Sequence, residues 1–453
     1  MLDSKKICLF IIFFGFCLAL FNSINNTKKN DYFFTNYNNE KTHNIIKGDV
    51  NHYWSEANII KENFDKDKSI SSLSRPLIRN YLYPKIIALY YLMIDQNIKD
   101  FNNDHKIGNY KVGIPIIQSI FFFLCLTYFF FKIKKRFSKF QIILIISFLS
   151  LNPILSQYHS SYWTESIFLS MLLILFANLI DLPKKKFNFF FLGILVGLIY
   201  LQRTPALYLF FPIIIYFFII FKFEALKINF IFILGFSLIL ILIGLESYKR
   251  TNIFYFTTFS QSHAPYHYVS YKLNANKLGI SKKESMQNRN KLIQKFIDGN
   301  NINFEDEKDL IKLGQFKKKY FLESLKGNFI FFSKYHLYKT LQALVLNKDA
   351  VYLYWENHNQ FWETQEFKNK FKIDIVISSF FYLVCFLGLF QLYKYRDKDF
   401  NRIILFTTLF VTYNIATLGW MGIPRYMIGN QIFFSIFFSF GVERIYNYFI
   451  KFR

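Results

Sequence analysis

Long apolar runs alternate along this chain with polar breaks, and two of the breaks are far longer than the others. Runs of about 17 to 23 mostly apolar residues read as spanning helices, because about 20 residues of helix cross a hydrocarbon layer. Roughly ten occur, with cores at 6–23, 113–132, 140–156, 165–182, 187–203, 206–222, 227–246, 373–393, 402–420 and 426–447. The expected fold class is an all-α polytopic membrane protein of about ten transmembrane helices with two long loops, 24–112 and 247–372. Three regions follow: an N-terminal transmembrane module, 1–246, that includes the loop 24–112; the loop 247–372; and C-terminal helices in 373–453.

The long loops carry shorter patterns of their own. In Gly48-Asp49-Val50-Asn51-His52-Tyr53-Trp54-Ser55-Glu56-Ala57, continued to Phe64, the residues Tyr53, Trp54, Ala57, Ile60 and Phe64 recur at helical spacing. This predicts an amphipathic helix with Asp49 near its N-terminal entrance. Tyr81 to Tyr91 is too short for a span and reads as interfacial. So does Phe321 to Leu346, where Lys326, Lys334, His336 and Lys339 interrupt the apolar residues.

Charge orients these elements. Lys5-Lys6, the run 132–139, Lys184 to Lys186, Lys222 with Lys227, the run 394–402, and Lys451 with Arg453 fall at the same ends of alternating spans. The short breaks at the opposite ends hold only Arg203 and Arg425 as cations. Basic residues near span ends stay on the cytoplasmic side, which places both termini there and both long loops outside. The expected location is a plasma membrane, the inner one in a bacterium. Lys5-Lys6 precede an apolar run with no small-residue cleavage site before Asn25, so the first span reads as an uncleaved anchor.

Composition agrees: 53% of the 453 residues are hydrophobic and 21% aromatic, including 60 Phe, too apolar for a soluble protein. The net charge of +25 sits in clusters beside spans rather than in one basic domain, which excludes nucleic acid as the expected partner. Cys8, Cys17, Cys125 and Cys385 lie in apolar spans as small hydrophobes, not as a disulfide framework.

Candidate chemistry gathers at the outward ends. Asp49 and Glu56 are carboxylates on a similar helical face, either catalytic or solvated. In Tyr158 to Glu165, Thr164 reads as a helix cap and Glu165 as a first-turn charge, or Glu165 as a functional group held at the edge of hydrocarbon. Arg203 in Leu201 to Pro205 and Arg425 in Gly422 to Tyr426 either snorkel to lipid or hold a lipid-linked phosphate with the guanidinium fork. His43, His52, His159, His263 and His267 lie in outward segments without HExxH or tight Cys/His spacing. No metal ligands are assigned and no cofactor is identified, no nucleotide is required, and a divalent metal stays open. Walker A, GxGxxG and GxSxG patterns are absent from the sequence, which argues against nucleotide hydrolysis and hydrolase chemistry.

Taken in order, these landmarks resemble those of GT-C glycosyltransferases, in the branch of protein O-mannosyltransferases and the bacterial lipid A aminoarabinose transferase. The resemblance rests on Gly48-Asp49 with Tyr53 and Ala57, Arg75-Pro76 through Tyr83-Pro84, Leu151-Asn152-Pro153 through Thr164-Glu165, Gly193 through Arg203-Thr204-Pro205, and Arg425-Tyr426. Where protein mannosyltransferases have adjacent Asp-Glu, this chain has Asp49-Val50. The resemblance implies inverting transfer of a sugar from a polyprenyl-phosphate donor to a glycolipid, protein or polysaccharide acceptor on the external, periplasmic face. It casts Asp49 as general base with Glu56 as substitute, Glu165 near the acceptor, Arg203, Arg425 and Tyr426 at the donor phosphate, and Tyr53, His52, His159 and His263 as neighbours. A polysaccharide polymerase is the competing enzyme class. A transporter or lipid flippase is the competing non-enzyme, for which ionisable groups belong near mid-membrane.

Overall fold

The computed structural model describes residues 4–29, 49–67, 81–94, 112–160, 162–183, 185–304, 306–345, 365–395, 398–419 and 427–451. Its α-helices are α1 (Ser4–Lys29), α2 (Asp49–Asp67), α3 (Leu82–Met93), α4 (Gly113–Ile133), α5 (Lys139–Leu151), α6 (Pro153–His159), α7 (Glu165–Ile180), α8 (Asn188–Gln202) and α9 (Phe210–Phe221). Then follow α10 (Ala225–Thr251), α11 (Phe259–Pro265), α12 (Tyr271–Leu278), α13 (Lys282–Gly299), α14 (Glu307–Leu325), α15 (Phe329–Leu344), α16 (Gln365–Tyr395), α17 (Lys398–Leu418) and α18 (Asn430–Lys451). No strand occurs among the described residues.

Each of the ten apolar stretches lies largely in helix. Among the described residues, five stretches are long and apolar enough to cross a membrane: Ser4–Asn25, Gly113–Ile133, Lys139–Ser156, Thr204–Thr251 and Lys372–Tyr393. Phe10, Leu124, Leu242, Phe380 and Phe386 stay exposed on such helices, as lipid-facing side chains do and water-facing ones do not. The chain is an all-α, multi-pass membrane protein.

Local chemistry sets the helix breaks. Ser138 and Gln141 form a capping box that starts α5, with Gln141 N donating to Ser138 Oγ at 3.2 Å and Ser138 N donating to Gln141 Oε1 at 3.0 Å. Expected as one span, 140–156 divides at Asn152-Pro153, where the Asn152 side chain caps α6 by accepting from Ile154 N at 2.9 Å. Residues 204–251 divide at Lys222, a non-glycine residue at φ +49° that turns α9 back into α10.

Close backbone contacts join the spans. A Cβ on Gly193 would strike Phe232 O, and one on Gly235 would strike Phe190 O, so α8 and α10 meet through reciprocal glycines. Gly388 and Gly441 do the same for α16 and α18, against Phe437 O and Val384 O. Small residues permit such approach in a membrane, where packing rather than apolar burial drives association.

The cationic clusters meet at one end of the bundle. Lys132 and Arg136 pair with Asp181 at 3.0 and 3.3 Å, and Lys186 approaches Glu224 at 3.8 Å. Glu443 accepts from Ser138 Oγ and Gln141 Nε2. After the long α10 come the polar helices α11 to α14 and then α15, which leaves Phe329, Ile330, Leu337 and Leu341 exposed.

Candidate active site

Three of the four candidate segments converge at the other end of the bundle. The amphipathic α2 begins at Asp49 and buries Tyr53, Glu56, Ala57 and Ile60. Its Tyr53 ring meets Tyr83 of α3 edge-on, centroids 5.2 Å apart. Tyr83 OH donates to Gln118 Oε1 at 2.9 Å, and Gln118 Nε2 donates to His159 O at 3.4 Å. The His159 ring contacts Ser166 Oγ at 2.8 Å through Nδ1 and lies 4.0 Å from the Phe122 centroid. A polar path thus runs from α2 through α3, α4 and α6 to the first turn of α7. Tyr83 is also within electrostatic reach of the Glu165 carboxylate.

Glu165 and Arg203, the ends of α7 and α8, form an ion pair at 3.5 Å with side chains 0% and 5% exposed. The Arg203 guanidinium stacks 5.0 Å from the Phe168 centroid. Gln202 Nε2 donates to Thr164 O at 3.0 Å, clamping the same two helix ends. Tyr81 N donates to Leu201 O at 2.9 Å, which fixes the start of α3 beside them. Removing two charges from water costs several kcal/mol per ion, and a buried pair recovers this only with good geometry. A pair kept dry at a span end therefore points to function more than to stability.

One expectation changes here and another holds. Thr164 occupies the cap position of α7, but its side chain makes no cap bond; Oγ1 donates to Glu165 Oε2 at 3.3 Å instead. Glu165 is the first-turn charge of α7, as read from the sequence, and it is wholly buried and paired with Arg203. Burial lowers His159 to about 3, so its ring is neutral at physiological pH and serves to hold α6 against α7.

The described residues on either side of the last segment, in α17 and at the start of α18, lie beside the same Glu165–Arg203 pair. Tyr413 OH of α17 donates to Pro205 O at 2.6 Å, and Asn414 Nδ2 donates to Asn430 Oδ1 at 2.8 Å. A Cβ on Gly429 would stand 3.4 Å from Phe168, the ring beneath Arg203. Arg425 and Tyr426 lie between these flanks and outside the described residues, as do the side chains of Asp49 and His52. Glu56 is placed on α2, 6% exposed. His263 lies apart, on α11, where Lys317 is its neighbour at 2.9 Å. That helix still touches the site, because Gln261 Nε2 donates to Thr204 O at 2.6 Å.

Sequence reasoning missed Gln118 and Tyr413, and named Tyr83 as part of a landmark segment without giving it a role in the site. Gln118 had a readable signal, a lone amide inside the apolar Gly113–Ile133. Among the described residues, no three His, Cys, Asp or Glu side chains gather as metal ligands.

No family model matches the chain, and no curated protein matches it. Among solved structures, an archaeal oligosaccharyltransferase from Archaeoglobus fulgidus, in complex with an inhibitory peptide and a dolichol-phosphate, is similar with a TM-score of 0.48. The two are 10% identical, and the similarity covers 96% of this chain and 50% of that one. The chain thus spans about half the length of the solved structure it matches.

Proposed function

We propose that this protein is a membrane glycosyltransferase of GT-C type, moving a sugar from a polyprenyl-phosphate donor to an acceptor hydroxyl at the external membrane face. The observation that carries the reading is the buried Glu165–Arg203 pair, placed where α2 and α3, the α7 and α8 ends, and the flanks of Arg425 converge. The site lies at the ends of apolar helices, opposite the Lys132–Asp181 and Glu443 contacts. Chemistry on a lipid headgroup suits that depth, whereas a translocation path calls for charges near mid-membrane.

The acceptor oxygen attacks the anomeric carbon opposite the phosphate, and the new C–O bond forms as the old one breaks. The bonding electrons leave with the phosphate, and the hydroxyl proton passes to Asp49 as general base. Arg203, with Arg425, stabilises charge developing on the leaving phosphate. Glu165 acts as a positioning residue: it holds the guanidinium over Phe168 and fixes the direction of its remaining donors. Lipid phosphate is already a good leaving group, so positioning and charge neutralisation supply most of what is needed. The acceptor class and a bacterial inner-membrane location are part of this proposal.

The test offers purified protein in nanodiscs a panel of labelled polyprenyl-phosphate sugars. Donor binding that weakens in Arg203→Lys, which keeps charge but loses the fork, agrees with the assignment. Failure of the wild type to bind any donor rejects it.

A further inference from the structure

Within the polar helices α11 to α14, two buried cations stand without a carboxylate among the described residues. Lys317 of α14 is 4% exposed and Arg289 of α13 is 3% exposed. Lys317 Nζ lies 2.9 Å from His263 Nδ1, 4.4 Å from the Phe259 centroid and 5.7 Å from that of Tyr266. Arg289 lies over Tyr266 and Tyr271 at 5.3 and 5.2 Å and donates to His267 O, Tyr266 O and Asn290 Oδ1. The two cations thus share the Tyr266 ring. Nearby Arg250, more exposed, has Glu307 at 2.7 Å and Glu246 at 3.0 Å. The fold matches its accessible arginine with acids and leaves the two buried cations with none among the described residues.

Cation–π contact, even when desolvated, recovers less than burying each ion costs. Burial and the charge of Arg289 lower Lys317 to about 8, in keeping with that imbalance. An incoming anion would offset it. There is also a way in: the exposed His267 stacks on the half-buried His263 with centroids 5.2 Å apart. On the same short helix, Gln261 bonds to Thr204, the residue after Arg203.

We infer that Lys317, with Arg289 and the His263–His267 stack, is an anion-binding subsite that takes a phosphate or carboxylate group borne by the acceptor. That the anion belongs to an acceptor rests on the glycosyltransferase reading. The subsite itself does not.

The experiment titrates inorganic phosphate against chloride at matched ionic strength, using the full chain in phosphatidylcholine nanodiscs and reading binding by calorimetry. Saturable binding is expected in the wild type and in Lys318→Met, an exposed neighbour with the same charge change. Lys317→Met is expected to weaken it about tenfold or more, as loss of a charged hydrogen bond does. Lys317→Gln serves if the Met variant fails to reconstitute. Equal binding in wild type and Lys317 variants, or none beyond chloride, overturns the subsite. Repeating the titration in phosphatidylglycerol nanodiscs separates the sources: unchanged phosphate binding supports a soluble anion, and its loss through competition assigns the site to lipid headgroups and overturns the acceptor role. No donor or sugar transfer enters the assay, so a failure here leaves the glycosyltransferase reading to its own test.

Discussion

At the residue scale, the Glu165–Arg203 pair is the feature most exposed to test. Removing one partner strands a buried charge, so Glu165→Leu and Arg203→Leu should each destabilise by about 3–5 kcal/mol. The double variant should cost well under the sum, and thermal unfolding of all three in detergent measures the coupling; additive losses would contradict the pairing. Lys317 gives a pH signature. Its proton is held less tightly in the folded chain, about 8, than at the ordinary 10.5. The unfolded chain therefore carries more protons between those values, and stability rises as pH climbs through that window, by on the order of 3 kcal/mol. Lys272, also lowered to about 8, by burial first and then by the nearby charges of Lys339 and Lys282, acts in the same direction. Melting curves from pH 7.5 to 9.5 should show the rise, and Lys317→Met should remove the share due to Lys317, whose charged and titratable neighbours include Arg289, His263 and Tyr266. Glu165 and Arg203 were legible singly, as charges at span ends, but their pairing depends on how α7 and α8 pack. Lys317 was hidden in Lys317-Lys318-Lys319, where only helical phase distinguishes it: it shares a buried face with Leu310, Leu313 and Gly314, while Lys318 and Lys319 are exposed.

At the element scale, the apolar pattern located the helices because burial in lipid requires long unbroken runs. It missed the division at Asn152-Pro153, since the apolar character continues across the break and the cap is a single side-chain bond. Likewise, the α2 helix was legible from Tyr53, Ala57 and Ile60, all of which are buried. The Tyr81 to Tyr91 stretch forms α3 and buries Tyr83, Ile87, Ala88 and Tyr91, because one helical face is apolar enough to pack on its neighbours. The reciprocal glycines fix how closely spans approach. Gly441→Val should force α16 and α18 apart and destabilise by about 1–3 kcal/mol or more. Gly299→Ala, where an added Cβ meets nothing within 4 Å, should change stability by about 0.5 kcal/mol or less. Comparable losses at both positions in a denaturation series would contradict the packing.

At the scale of the whole molecule, the two ends of the bundle are chemically distinct, with Lys132, Arg136 and Glu443 contacts at one and the Glu165–Arg203 site at the other. The alternation of basic breaks made this polarity legible, whereas the convergence of α2, α7, α8 and α17 depended on packing between distant segments. With Cys17→Ala as background, since the other three cysteines are buried, single cysteines at Gly299 and Lys185 should label from opposite sides of sealed vesicles, Gly299 from outside. Labelling of both from one side would break the topology. The central claim is sugar transfer with Asp49 as base, and the most direct measurement compares wild type with folded Asp49→Asn on labelled polyprenyl-phosphate sugars. General-base assistance is worth about 100- to 10,000-fold, so transfer should occur in the wild type and fall by that order in the variant, and normal turnover in Asp49→Asn would contradict the account.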